Sequence, residues 1–106
     1  MIRNVNAADF IDVIEIKDKP VLIDFWAEWC GPCRIMGGRL NEIDSELQDK
    51  AVIGKVNIDD EKMLSESYNI QTIPTLMVFH NGKIVEEFIG LTSKERLKNS
   101  LEKYMQ

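Results

Sequence analysis

The segment Trp29-Cys30-Gly31-Pro32-Cys33 constrains this sequence most, because it holds the only two cysteines of a 106-residue chain. An almost continuous apolar run from Pro20 to Ala27 precedes it and favours a strand buried on both faces. After it, apolar residues recur at helical spacing at Met36, Leu40, Ile43 and Leu47. Pro32 suits the first turn of such a helix, where an N–H group would have no partner. The cysteines are therefore predicted at a strand-to-helix junction.

Sequence patterns predict a helix before this junction, and a second strand and a short helix after it. Asn6 and Asp9 are typical of a helix start, and the side chains that follow on one helical face are apolar. The run from Ala51 to Asp59 predicts a strand, followed by a short helix from about residue 61 to residue 67. A strand, a helix and a strand in this order indicate a parallel crossover.

Sequence patterns in the last part of the chain predict a hairpin and a final helix. The apolar segments Thr75 to His80 and Lys83 to Ile89 flank Asn81-Gly82, a strong signal for a tight antiparallel turn. Thr92 and Glu95 have the spacing of a capping box for a helix. Its predicted buried stripe is Leu97, Leu101 and Tyr104. We expect an α/β fold with a mixed sheet flanked by helices, in one domain over residues 1–106.

Composition and charge exclude several explanations of the cysteines and several partners. Hydrophobic residues make up 44% of the chain, enough for a core that needs no disulfide staple. Eighteen acidic against 13 basic residues give a net charge of -5, which disfavours nucleic acids and anionic membranes as partners. The densest apolar run, Ile73 to Phe79, is too short to span a bilayer, and the N-terminal residues do not predict a signal peptide. We expect the protein to be cytoplasmic, and structural disulfides are unusual in the cytoplasm.

Three explanations of the cysteine pair are possible: a metal site, two idle buried thiols, or a redox centre. A four-ligand zinc site needs further ligands, and His80 is the only histidine, so a monomer fits zinc poorly, although a dimer could share a site. Idle thiols do not explain the position at a helix start. The free N–H groups and positive end of a helix stabilise a thiolate, which favours the redox centre.

The two cysteines are predicted to have different roles in that centre. Cys30, just before the first helical turn, should be the exposed nucleophile with a lowered pKa that attacks a substrate disulfide. Cys33, one turn into the helix, should be more buried and should attack the mixed disulfide to release the reduced substrate. Gly31 and Pro32 fix the geometry of the ring and leave the nucleophile uncovered.

At this point the sequence closely resembles the thioredoxin family, over essentially the whole chain. The segments that carry the resemblance are DFWAEWCGPCR, KVNID, IPTL, NG and FIG. A lone CxxC pair would be a weak signal, but WCGPC between a strand and a helix is highly specific. The resemblance implies a thioredoxin fold and a protein that exchanges a dithiol for a disulfide.

The resemblance also implies roles for individual residues. Cys30 would be the attacking cysteine and Cys33 the resolving one. Asp24 would be the buried carboxylate that handles the proton of Cys33, with Lys55 nearby, and Pro74 would follow a cis peptide bond that faces the disulfide. A flat apolar docking surface for partner proteins would be formed by Trp29, Gly31, Pro32, Ile73 and Gly90.

Two positions can be interpreted further from their neighbours. Ile23 and Phe25 on either side of Asp24 indicate that this carboxyl is buried, and burial should raise its pKa, which suits a proton acceptor. Gly38 stands where the family typically has a proline that bends the helix. Glycine inside a helix costs about 1 kcal/mol relative to alanine, so the geometry and local stability of this helix are open.

The predicted function is a protein-disulfide reductase that carries electrons from a thioredoxin reductase to oxidised target proteins. No bound cofactor or metal is expected, because the cysteine pair is itself the redox group, and nothing in the sequence demands a dimer. One alternative is an oxidant or isomerase of an oxidising compartment, which the Gly31-Pro32 dipeptide disfavours. Another is a non-catalytic module whose cysteines are dispensable for binding a partner.

Overall fold

A central five-stranded sheet with four helices forms the fold of the computed structural model, which describes residues 1–105. The strands are β1 (Ile2–Asn4), β2 (Val21–Trp26), β3 (Val52–Asn57), β4 (Thr75–His80) and β5 (Lys83–Ile89). The helices are α1 (Ala7–Ile14), α2 (Gly31–Leu47), α3 (Lys62–Ser67) and α4 (Lys94–Glu102), with a single 3-10 turn at Gln48–Lys50. The predicted α/β class and mixed sheet are confirmed.

The sheet has the strand order β1-β3-β2-β4-β5. Strand β3 pairs in parallel with both β1 and β2, whereas β4 is antiparallel to β2 and to β5. The predicted parallel crossover and the hairpin around Asn81-Gly82 are therefore both present. Strand β1 was not predicted, because its three residues are too few to show a period-2 pattern and are defined by their pairing with β3.

Each face of the sheet carries its own hydrophobic core. Helix α1 buries Phe10, Val13 and Ile14 on one face, as its sequence pattern predicts. Helices α2 and α4 cover the other face with the buried side chains Met36, Leu40, Ile43, Leu47, Leu97 and Leu101. Because Leu22 of β2 belongs to this second core and side chains alternate along a strand, Asp24 points to the same face as Leu22.

Helix α2 continues through the two adjacent glycines without a break. It is α-helical from Gly31 to Leu47, and neither Gly37 nor Gly38 has a positive φ. A methyl group added at Gly38 would meet no atom within 4 Å. The open question about Gly38 is thus answered: this position needs neither the conformational freedom nor the small size of glycine.

The predicted capping box at the start of α4 is wrong. The N-cap is Ser93, whose Oγ accepts the N–H of Arg96 at 3.1 Å. Thr92 is buried and its hydroxyl donates to the carbonyl oxygen of Gly90 at 3.2 Å, so it is held one residue before the cap. Tyr104 lies beyond the last helical residue, although its side chain still packs against the core of Leu97 and Leu101.

Candidate functional site

Cys30 and Cys33 lie at the point where strand β2 leads into helix α2, and a disulfide joins them. Their Cα atoms are 5.2 Å apart. Cys30 is the N-cap of α2, and its Sγ accepts the backbone N–H of Cys33 at 3.2 Å. In this position a side-chain atom normally satisfies one of the free N–H groups of the helix. The sulfur of Cys30 therefore lies at the N-terminal, positive end of α2.

The predicted exposure of Cys30 is wrong for the disulfide form. Only 5% of Cys30 and 2% of Cys33 is accessible to solvent, so the two residues are almost equally buried. They form a small apolar cluster with Ala27, and Trp26 and Ile73 pack against it. The sequence showed that Cys30 precedes the helix, but not that Ile73, 43 residues further along the chain, packs against the two cysteines.

Asp24 is fully buried in the middle of β2, as its apolar neighbours predict. Neither of its carboxylate oxygens has a hydrogen-bond partner within residues 1–105. Burial raises the pKa of Asp24 from its ordinary value of 3.8 to about 7, and the positive charge of Lys55 opposes this rise. The carboxyl can consequently take up or release a proton near neutral pH, as predicted.

Lys55 lies beside Asp24 on the neighbouring strand β3, where the two residues are direct partners in the parallel register. Its Nζ is 4.2 Å from the centre of the Trp26 ring, a distance at which an ammonium group is attracted to an aromatic face. Lys55 and Trp26 also line a cleft of about 540 Å³ that opens to solvent between β1 and the segment after β3. Lys55 thus lies next to the buried Asp24 and also lines a cleft that is open to solvent.

The predicted docking residues lie around the disulfide in three segments of the chain. Gly31 and Pro32 are exposed at the start of α2, and Trp29 beside them is 69% exposed. Across the disulfide, Ile73 packs against the cysteine cluster. The Ile73–Pro74 peptide bond is cis, as the resemblance implies, and the carbonyl oxygen of Pro74 accepts the N–H of Gly90 at 2.8 Å.

Sequence reasoning missed two contacts that hold the first and the last of these segments in place. The indole Nε1 of Trp29 donates to the carboxylate of Asp59 at 2.9 Å. Arg39 donates to the carbonyl oxygen of Thr92 at 2.7 Å, 53 residues along the chain. The only signal in the sequence was a charged residue within the helix after Gly37-Gly38, and such a residue usually lies on a solvated face.

Within residues 1–105 the structure has neither a cluster of metal-binding side chains nor a membrane-spanning helix. No group of three or more His, Cys, Asp or Glu side chains is placed to hold a metal ion. No helix in that range combines the length and the apolar character that crossing a membrane requires. The expectation that the protein works without a metal or bound cofactor stays a prediction.

Comparison with known proteins agrees with this geometry. The family model described as Thioredoxin matches residues 1–103. The thioredoxin of Rickettsia prowazekii (strain Madrid E) is 42% identical over 103 residues, which are 97% of this chain and 98% of the relative. The chloroplastic M-type thioredoxin of Chlamydomonas reinhardtii is 43% identical over 101 residues, covering 95% of this chain and 72% of the relative.

A solved structure is also similar over nearly the whole chain. It is an asparagine-to-glutamine mutant of thioredoxin from Halobacterium salinarum NRC-1, with a TM-score of 0.89 and 32% sequence identity. The similarity covers 99% of this chain and 91% of that chain. The strand order, the helix positions and the cysteine pair therefore belong to a known architecture.

Proposed function

The chain belongs to the thioredoxin family and is a thiol-disulfide oxidoreductase, and from this premise we propose that it reduces disulfides in other proteins. In each cycle the Cys30 thiolate attacks one sulfur of the substrate disulfide. A bond forms between the two sulfurs, and the other substrate sulfur leaves as a thiolate that takes a proton from water. Cys33 then attacks Sγ of Cys30, which releases the second substrate sulfur and closes the Cys30–Cys33 disulfide. Two electrons pass to the substrate.

The observation that supports this assignment most is the position of the Cys30 sulfur at the N-cap of α2. A negative charge on this atom faces the backbone N–H of Cys33 and the positive end of a 17-residue helix. Both favour the thiolate over the thiol, and the thiolate is the nucleophile in disulfide exchange. The first turn of α2 contains no acidic residue that would weaken this effect.

Asp24 is the group we assign to the proton of Cys33. The second step needs a Cys33 thiolate, and a carboxylate whose pKa is about 7 can accept its proton at neutral pH. Asp24 faces the sheet side that α2 covers, and Cys33 is in the first turn of that helix. Lys55 favours the charged form of Asp24 and keeps its pKa from rising further.

The surface around the disulfide is assigned to substrate binding. Trp29, Gly31 and Pro32 would contact the substrate on one side, and Ile73 and Gly90 on the other. Trp29 exposes much of a large aromatic side chain, which is common where proteins bind each other. Pro74 would lie against the chain of the substrate that carries the attacked disulfide.

For the partners and the setting we propose the following. A thioredoxin reductase returns the Cys30–Cys33 disulfide to the dithiol, and oxidised proteins receive the electrons. The chain acts as a monomer of one domain without bound cofactor or metal, since the cysteine pair supplies the redox chemistry. The cytoplasm fits this role, because its thiol pools keep dithiols reduced.

Reduction of insulin by dithiothreitol tests the proposal. The wild-type protein should accelerate precipitation of the insulin B chain, and Cys30→Ser should leave only the rate that dithiothreitol gives alone. If Cys30→Ser accelerated the reaction as well as the wild type, the cysteine chemistry would be refuted. A protein that binds insulin without reducing it would support the non-catalytic alternative.

A further inference from the structure

Both backbone polar groups of Thr92 are bound by side chains of helix α2. The Thr92 N–H points to Sδ of Met36 at 3.5 Å, a buried contact. The Thr92 carbonyl oxygen accepts the guanidinium of Arg39 at 2.7 Å. The same guanidinium nitrogen lies 3.9 Å from Sδ of Met36, so the three residues form one compact group. Helix α2 thus holds a residue that lies more than 50 positions beyond each of the two side chains that bind it.

This group continues to the surface beside the disulfide. The Thr92 hydroxyl donates to the carbonyl oxygen of Gly90 at 3.2 Å, and the Gly90 N–H donates to the carbonyl oxygen of Pro74 at 2.8 Å. Ile73, the residue before Pro74, packs against the cysteine cluster. A chain of hydrogen bonds therefore runs from the second and third turns of α2 to the segment that borders the disulfide.

The segment Gly90–Thr92 depends on these hydrogen bonds for its position. The apolar side chains on either side of Gly90 are exposed, Ile89 by 63% and Leu91 by 51%, so burying them does not fix the segment. Gly90 has a φ of +83°, a conformation that glycine adopts easily because it has no Cβ, so side-chain sterics do not hold the backbone there. Thr92 is the buried anchor, and Arg39 is its partly exposed polar clamp.

We propose that Arg39 is a positioning residue for protein substrates, which fixes the Gly90–Thr92 segment in the shape that a disulfide-bearing chain binds. The inference rests on the proposed function, in which Gly90 is part of the docking surface. Arg39 does not touch the cysteines. It acts through Thr92 on the shape of the surface and leaves the reactivity of Cys30 unchanged.

This role separates two kinds of substrate. A protein disulfide must fit the Gly90 side of the surface, whereas a small aromatic disulfide needs only the sulfur of Cys30. When the binding-competent shape is populated in only a fraction of molecules, the apparent dissociation constant rises by the inverse of that fraction. Loss of the clamp should weaken binding of the protein substrate and leave the small disulfide unaffected.

The test compares Arg39→Ala with the wild type in single-turnover oxidation of the reduced protein. With insulin, the half-saturating concentration should rise about three- to tenfold while the maximal rate is unchanged. With 5,5′-dithiobis(2-nitrobenzoate), the second-order rate constant should stay within about twofold of the wild type. Amide hydrogen exchange should become faster at residues 90–92.

Two control variants distinguish positioning from charge and from folding. Arg39→Lys keeps a cation that can donate one hydrogen bond to the Thr92 carbonyl, and it should bring the half-saturating insulin concentration back to within about twofold of the wild type. Lys50→Ala removes the same charge from an exposed residue past the far end of α2, and it should change neither substrate. If Arg39→Ala does not fold, Arg39→Met replaces it, since its apolar stem still covers the core.

The inference is wrong if Arg39→Ala affects both substrates equally, or if it leaves insulin kinetics and hydrogen exchange at residues 90–92 unchanged. It is also wrong if Lys50→Ala weakens insulin binding as much as Arg39→Ala does. These results differ from failure of the proposed function, in which the wild-type protein itself would not reduce insulin or Cys30→Ser would remain active.

Discussion

At the residue scale, the reactivity of the site depends on which sulfur lies at the helix end. Cys30 is the N-cap of α2, and Cys33 lies inside the first turn. Stabilisation by helix N–H groups and by the helix dipole falls off within one turn. In the disulfide form both residues are buried, so burial alone does not separate them. The position of Cys30 at the cap is the difference that remains once the disulfide opens.

Alkylation of the reduced protein tests this difference. With less than one equivalent of iodoacetamide at pH 7, the adduct should form mainly on Cys30, since the cap position favours its thiolate. Peptide mapping by mass spectrometry gives the ratio of the two adducts, and the urea-unfolded protein, in which both thiols are free, is the control. A folded protein labelled mainly on Cys33 would reverse the assigned roles.

Asp24 is the second residue whose chemistry depends on its surroundings. It has no hydrogen-bond partner within residues 1–105, and burial holds its pKa at about 7 in the folded protein against 3.8 ordinarily. The folded state therefore prefers the protonated carboxyl. The contribution of Asp24 to the free energy of unfolding is therefore largest below about pH 4. It falls as the pH rises toward about 7, and it is constant above that pH.

Asp24→Asn should remove this loss of stability. The gain of the variant over the wild type should be close to zero at about pH 4 and should grow with pH to the order of 3–4 kcal/mol by about pH 8, for a pKa difference of about three units. Urea unfolding of both proteins across this pH range measures the gain. Release of substrate from the mixed disulfide should become slower in the variant near pH 7. Parallel stability curves would show that Asp24 does not titrate as described.

At the element scale, helix α2 carries the cysteines at its start and, in its second and third turns, the two side chains that bind Thr92, Met36 and Arg39. Gly38 lies between Met36 and Arg39 in ordinary helical geometry, with open space where a side chain would extend. Glycine there lowers the stability of the helix without serving a turn or a close approach. The contrast is Gly54 in β3, where an added methyl group would come within 2.8 Å of Val5.

Two glycine substitutions should therefore have opposite effects. Gly38→Ala should raise the free energy of unfolding by a few tenths to about 1 kcal/mol, because alanine loses less backbone entropy in a helix. Gly54→Ala should lower it by about 1–3 kcal/mol, since the stiff Val5 side chain has to move. Denaturant unfolding measures both changes. Destabilisation by Gly38→Ala would mean that the helix bends at this position in solution.

The start of helix α4 gives a further prediction. Ser93→Ala removes the hydroxyl that caps Arg96 and should cost about 1 kcal/mol of unfolding free energy. Glu95→Ala should cost less, because no reciprocal bond of a capping box from Glu95 is present within residues 1–105. Thermal or urea unfolding compares the two variants. A larger loss for Glu95→Ala would restore the capping box that the sequence suggested.

Sequence patterns predicted most helices and strands, but not the contacts between residues that are far apart in the chain. Local patterns predicted α1, α2, the long strands and the hairpin, because periodicity and turn chemistry depend on near neighbours. Thr92 was misinterpreted because its contacts come from Met36 and Arg39, which lie 56 and 53 residues away. Burial of Cys30 under Ile73 was missed for the same reason. Contacts of that range leave no periodic signal in a single sequence.

At the scale of the whole molecule, the mixed sheet brings the parts of the site together. Strand β2 carries Asp24 and leads into the cysteines, and β3 places Lys55 beside Asp24. Antiparallel pairing of β4 with β2 brings the start of β4, just after Pro74, to the end of β2 that precedes the cysteines. The positions of Cys30, Cys33 and Asp24 were predictable from the sequence order, whereas the contact of Gly90 with Pro74 required the folded chain.

In the proposed cycle Cys30 forms a covalent bond to the substrate and Cys33 breaks it. Cys33→Ser keeps the attacking thiol and removes the resolving one, because a serine hydroxyl is too weak a nucleophile to replace it. Cys30→Ser is the matched control, since it removes the attacking thiol and keeps Cys33. Both variants, immobilised and incubated with insulin, can be washed with salt and detergent and then treated with dithiothreitol.

Mass spectrometry of what dithiothreitol releases gives the most direct measurement. We expect an insulin chain held through a disulfide to Cys30 of the Cys33→Ser variant, and almost nothing held by Cys30→Ser. Equal retention by both variants, released by salt or detergent and not by dithiothreitol, would rule out the proposed exchange and show that the protein binds without exchanging disulfides.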